Sequence, residues 1–200
     1  MKFRLAVFGA ALVFAGSATA SITPQLDGAA PTGTGPYTWT YSIGVSQDEQ
    51  LNGSLSGTCT TGSCGTFFTI YDFAGYIPGT IAATATDWTT SIQLVGLTPS
   101  LTNPPDSGSL VNLVFEYTGP VETGPLNLDG FSAESTDSTV NTGGYFSYQA
   151  QKVANTSAAD EGIGPIDVPL ATPAPEPASI ALLGCGLIGL ALRRKLVRLR

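Results

Sequence analysis

Residues 37–45 read Tyr-Thr-Trp-Thr-Tyr-Ser-Ile-Gly-Val. The bulky residues Tyr37, Trp39, Tyr41, Ile43 and Val45 alternate with Thr38, Thr40, Ser42 and Gly44. Successive side chains of a strand point to opposite faces, so this spacing predicts a strand with one apolar, partly aromatic face turned to a core. The same signature recurs downstream. Residues 66–73 (TFFTIYDF), 88–95, 110–117 (LVNLVFEY), 126–134 and 145–153 (YFSYQAQKV) read as strands, with Trp88, Ile92 and Leu94 as core members. Residues 47–50 read as a polar turn and 51–56 as a short partner strand. Turn signals separate these runs: Ala74-Gly75, Pro78-Gly79 and Gly119-Pro120, with Pro104-Pro105 barring a central strand between 99 and 108. About seven to nine short strands at regular turn spacing predict an all-β fold, a single antiparallel β-sandwich or jelly-roll-like domain.

That domain is expected to span residues 21–153 of the 200. A domain of that size buries roughly 68–70% of its extended-chain surface, enough for a real core. Residues 21–36 read as a loose Pro/Gly/Ala-rich lead-in. Residues 154–174, with Pro165, Pro169 and Pro173, read as an extended linker.

Charge and composition exclude several function classes. The formal net charge is −7, but residues 21–175 hold one lysine, Lys152, against fourteen carboxylates. A body carrying −13 repels nucleic acid, whose binding depends on clustered Lys and Arg. The chain has no histidine, which removes Ser-His-Asp and Cys-His catalysis and HExxH zinc sites. No GxSxG, P-loop or EF-hand pattern occurs, and Gly184–Gly189, a formal GxGxxG, sits in an apolar run with no preceding strand. Asp48-Glu49 and Asp160-Glu161 read as solvated turn charges. The expectation is a non-enzymatic protein without cofactor or metal. Cys59 and Cys64 are the disulfide candidates of an exported chain, and Cys185 reads as an apolar filler. Trp39, Trp88, Tyr37 and Tyr41 could stack on sugars, but their alternation favours the core. Thr84-Ala85-Thr86 matches the threonine spacing of ice-binding strands only once.

The two ends carry targeting signals. Residues 1–20 read as a signal peptide: Lys2 and Arg4, an apolar run over 5–15, and a small-residue cleavage site at Ala18-Thr19-Ala20. At the other end, Pro175-Glu176-Pro177 precedes an apolar run over 178–192. A basic cluster closes the chain, with Arg193, Arg194 and Lys195, then Arg198 and Arg200. As a helix the run is ~22 Å long, short against a bilayer core of about 30 Å. Its basic flank is expected to stay cytoplasmic.

Motif, apolar run and basic cluster in this order, over residues 175–200, resemble the PEP-CTERM sorting segment handled by exosortases. The resemblance implies a protein secreted across the inner membrane of a Gram-negative bacterium and transiently anchored there by a short transmembrane helix. It implies cutting near Pro175-Glu176-Pro177 by an integral-membrane cysteine protease and delivery to the cell surface or extracellular matrix. Its partners would be the exosortase, the secretion machinery and extracellular polysaccharide, in an exopolysaccharide or biofilm setting. The tail also resembles C-terminal segments of proteins described as ice-binding. YDFAGY (71–76), EYTGP (116–120) and GYFSYQAQ (144–151) resemble phrases of PEP-CTERM passengers. The alternatives are a carbohydrate-binding module, an ice-binding protein, and a carbohydrate-active enzyme with an unrecognised carboxylate pair.

Overall fold

The alternating stretch at 37–45 is a strand, and its bulky positions from Trp39 to Val45 are buried. The structure, a computed structural model, describes residues 21–55, 57–59, 62–156 and 159–171. The side chains of 57–59, 62 and 63 lie outside that description. The chain divides into two compact units, Met1–Leu170 and Ala171–Arg200, and every described strand belongs to the first. The expected signal peptide and the apolar helix over 178–192 lie outside the described residues.

Thirteen strands are described: β1 (Ile22–Leu26), β2 (Tyr37–Val45), β3 (Glu49–Leu51), β4 (Gly57–Cys59), β5 (Gly62–Cys64), β6 (Phe67–Phe73), β7 (Ala82–Ala83), β8 (Trp88–Gln93), β9 (Val111–Tyr117), β10 (Glu122–Thr123), β11 (Leu126–Ser135), β12 (Val140–Lys152) and β13 (Ala159–Pro169). All their pairings are antiparallel, so the fold is all-β. One sheet runs β1-β2-β11-β7. A larger one runs β10-β3-β12-β6-β9-β8, with β13 also on β12, and β4-β5 form a small hairpin. Phe146 pairs with both Ile70 and Gly164, and Gln151 with both Gln50 and Ala159. β13 therefore runs along one side of β12, while β3 and β6 share the other.

The two larger sheets bury one common core. Trp39, Tyr41, Ile43 and Phe131 come from the smaller sheet, and Phe68, Ile70, Leu113, Phe115, Tyr148 and Val168 from the larger. Its aromatic centre stacks Phe68 on Phe115 at 4.8 Å, with Phe131 edge-on to both. The outer face of β6 and β9 is covered as well. Leu97 packs there on Phe67 and Val114, and its carbonyl accepts from Thr69 Oγ1 at 2.6 Å. Covering on both faces explains why β6 and β9 read as nearly unbroken apolar runs.

The structure corrects five expectations. Residues 22–26, expected to be loose, pair with β2 as an edge strand. The turn expected at 47–50 and the strand at 51–56 exchange places, since Glu49–Leu51 is β3 and residues 52–55 bend away. Leu94, expected in the core, is 55% exposed. β12 begins at Val140, five residues before the expected strand at 145.

The largest correction falls on the linker expected at 154–174. Residues 159–169 are β13, paired with β12 along nearly its whole length. Proline is tolerated there because β13 is an edge strand, whose outward backbone positions need no ladder partner. Gly162 and Gly164 stand opposite Tyr148 and Phe146. A Cβ at either would sit 2.5 Å or 2.7 Å from those rings. The rings lie across the glycines and supply the packing that side chains on β13 would otherwise give.

Candidate functional site

Strand register sorts the polar residues at the end of β12 onto two faces. Tyr148, Ala150 and Lys152 are two apart and share the core-side face, because Tyr148 and Ala150 belong to the core. Glu49 stands directly opposite Lys152, and Asp160 opposite Ala150, so both project to that same face. On the outer face Gln50 stands opposite Gln151 and donates to it, as does Asn52 at 2.9 Å. Gln149 Nε2 reaches the carbonyls of Cys64 and Gly65 at 3.1 and 3.0 Å, tying β12 to the root of the β4–β5 hairpin.

The inner-face group is the candidate site. Asp160 binds two donors, Lys152 Nζ at 2.8 Å and the Tyr148 hydroxyl at 3.0 Å. Glu49 is 0% exposed, and its carboxyl faces that of Asp160. Burial pushes its carboxyl up to about 7, the nearby charge of Asp160 adds to the rise, and Lys152 opposes it. Burial also raises Tyr148, and Asp160 adds to that. Lys152 is held above its ordinary value by Asp160. A carboxyl that holds its proton more tightly than usual, a second carboxyl and a lysine thus meet at one end of β12.

This group is not legible as a site in the sequence. Asp48-Glu49 and Asp160-Glu161 are expected there to be solvated turn charges, and only Asp48 is exposed. Glu49 is in β3 and fully buried. Asp160 and Glu161 are in β13, where Glu161 Oε2 accepts the backbone N–H of Leu101 at 2.8 Å. No local pattern signals this convergence, since it depends on β3 and β13 flanking β12.

The described residues that the sequence singles out do not join this group. Trp39 and Tyr41 are fully buried, and Trp88 is 8% exposed among Phe68, Tyr117 and Phe131. None of these three offers an open ring face to a sugar. Thr84-Ala85-Thr86 follows β7 outside any strand. Cys64 is buried and disulfide-bonded, while the side chain of Cys59 lies outside the described residues. Ala18, Ala20, Pro175, Glu176, Pro177, Arg193, Arg194 and Lys195 also lie outside them.

Among the described residues, no group of three or more acidic or cysteine side chains could hold a metal ion. No helix among them is long and apolar enough to cross a membrane. Two shallow grooves follow the seam between β1 and β13. One of about 400 Å³ is lined by Ile22, Pro24, Tyr148 and Ile163, and one of about 310 Å³ by Gln25, Leu26, Pro165 and Asp167. Neither is lined by Glu49 or Asp160.

No curated protein matches the chain. Residues 173–195 match the family model of the PEP-CTERM protein-sorting motif. That span contains Pro175-Glu176-Pro177, the apolar run over 178–192, and Arg193, Arg194 and Lys195. The motif marks an exported protein with a membrane-anchored sorting signal and an exosortase as its processing partner. The chain thus carries a PEP-CTERM sorting segment behind an all-β domain.

Proposed function

We propose that the chain is a non-enzymatic surface or matrix protein whose all-β domain is cargo and whose tail is a removable address. The observation that carries this reading is the motif match at 173–195. In this reading the signal peptide is removed after Ala20, and the apolar run over 178–192 holds the precursor at the inner membrane. An exosortase then cuts near Pro175-Glu176-Pro177. The prolines favour an extended backbone on either side of Glu176, the form in which a protease engages a chain. The released protein joins the cell surface or the extracellular polysaccharide around it.

Domain chemistry supports cargo over enzyme. Neither seam groove is lined by Glu49 or Asp160, and the chain lacks histidine. Replacing Pro175, Glu176 and Pro177 with alanine tests the sorting step. The variant is expected to accumulate as a full-length precursor in the inner-membrane fraction, seen as a larger band on fractionation. Processing and surface delivery at the wild-type level would contradict the proposal.

A further inference from the structure

The ion pair between Lys152 and Asp160 has the composition and contact of two reactants. Nζ lies 2.8 Å from Oδ1, and Tyr148 donates to Oδ2 at 3.0 Å, polarising the carboxyl group from its other oxygen. The Asp160 side chain is 16% exposed, and that of Lys152 is 42% exposed. Behind them Glu49 is buried on the same face with its carboxyl against that of Asp160, an arrangement a simple surface ion pair does not need. Burying a carboxyl is costly. It does have a use where protons must be relayed between an amine and a carboxyl.

We propose that Lys152 and Asp160 join in an intramolecular amide bond that closes the β12–β13 hairpin, with the Glu49 carboxyl relaying the protons. The ammonium first loses a proton within the pair, and its freed lone pair attacks Asp160 Cγ. The new bond is Nζ–Cγ, and the bond that breaks is Cγ–Oδ. Of the three ammonium protons, one stays on the amide nitrogen and two leave with the departing oxygen as water. Glu49 in its protonated form gives its proton to the leaving oxygen and takes one back from the attacking nitrogen, ending as it began. No oxidant, nucleotide or cofactor enters the balance.

Condensation in water is ordinarily unfavourable, but reactants held in this way reach effective molarities of roughly 10⁵–10⁸ M. A neutral acid with a pKa near the working pH is also the effective kind of proton relay. The bond would tie β12 to β13 covalently, and β13 is the strand that leads on to residue 171 and the sorting segment.

The test is mass spectrometry of the full chain as isolated from the bacterium that exports it, after reduction of disulfides. The expected result is a mass short by one water, with a branched peptide joining the segments that contain Lys152 and Asp160. Trypsin should fail to cut after Lys152. Lys152→Arg keeps the charge and abolishes the loss. Glu49→Gln slows linkage roughly 10²-fold or more, in keeping with the worth of a positioned acid–base group. Circular dichroism and a cooperative melt show whether each variant has folded, and Tyr148→Phe, which removes only a hydroxyl, is a second, milder probe expected to slow linkage. Three results would overturn the proposal: no loss of water in the folded wild type, a loss that maps to a cyclic imide with Lys152 still cut by trypsin, or linkage undiminished in folded Glu49→Gln.

Discussion

Glu49 is the residue at which the fold and the solvent are most directly linked. Its folded-state value of about 7 lies above its ordinary 4.5, chiefly because it is buried. The folded chain therefore holds a proton that the unfolded chain releases. This stabilisation is complete below about pH 4.5 and is lost as pH rises through about 7. Lys152→Arg, in which no amide can form, is the background in which to isolate it. Its melting temperature is expected to be higher at pH 5 than at pH 8, by roughly 2–4 °C for each kcal/mol involved. Adding Glu49→Gln should flatten that difference, because an amide does not titrate in this range. An equal fall in the double variant would place the pH effect elsewhere, for instance in the self-repulsion of the acidic body.

At the scale of elements, β13 decides how the domain ends. Ile166 and Val168 belong to the buried core, and each such side chain contributes roughly 1.5–3 kcal/mol on burial. Removing β13 would also uncover the edge of β12 and leave Lys152 without Asp160. A chain ending at residue 158 is therefore expected to give no cooperative thermal transition, whereas one ending at 171 should melt cooperatively. Were residues 154–174 only a stalk, the two would melt alike.

The same element shows what the sequence could carry. Alternation at 37–45, the apolar runs at 67–73 and 111–117, and the turns between them are legible, because their faces are filled by their own side chains. In β13 the packing comes from elsewhere: Phe146 and Tyr148 lie over Gly164 and Gly162, and the edge position tolerates Pro165 and Pro169. A strand whose faces are filled by its neighbour has little alternation of its own. Glu49 is hidden for a related reason. Asp48-Glu49-Gln50 is a polar run, and only the pairing of β3 with β12 turns its middle residue into the core.

At the scale of the whole molecule, charge and address divide along the chain. Seven of the eight basic residues lie in residues 1–4 and 193–200, leaving Lys152 as the one cation of residues 21–175. Removal of both ends would release a strongly acidic protein whose single lysine is held by Asp160. The sorting motif at 173–195 begins within a few residues of Leu170, where the first compact unit ends. A cut near Pro175-Glu176-Pro177 would therefore remove the address and leave every described strand intact.

Removal of the tail is tested most directly by the mass of the protein recovered from the surface of the bacterium that makes it, with its terminal peptides identified. The expected species begins at Ser21, retains β13 and lacks residues 178–200. A surface species that still carries the apolar run and its basic cluster would contradict this, since the tail would then be a permanent anchor.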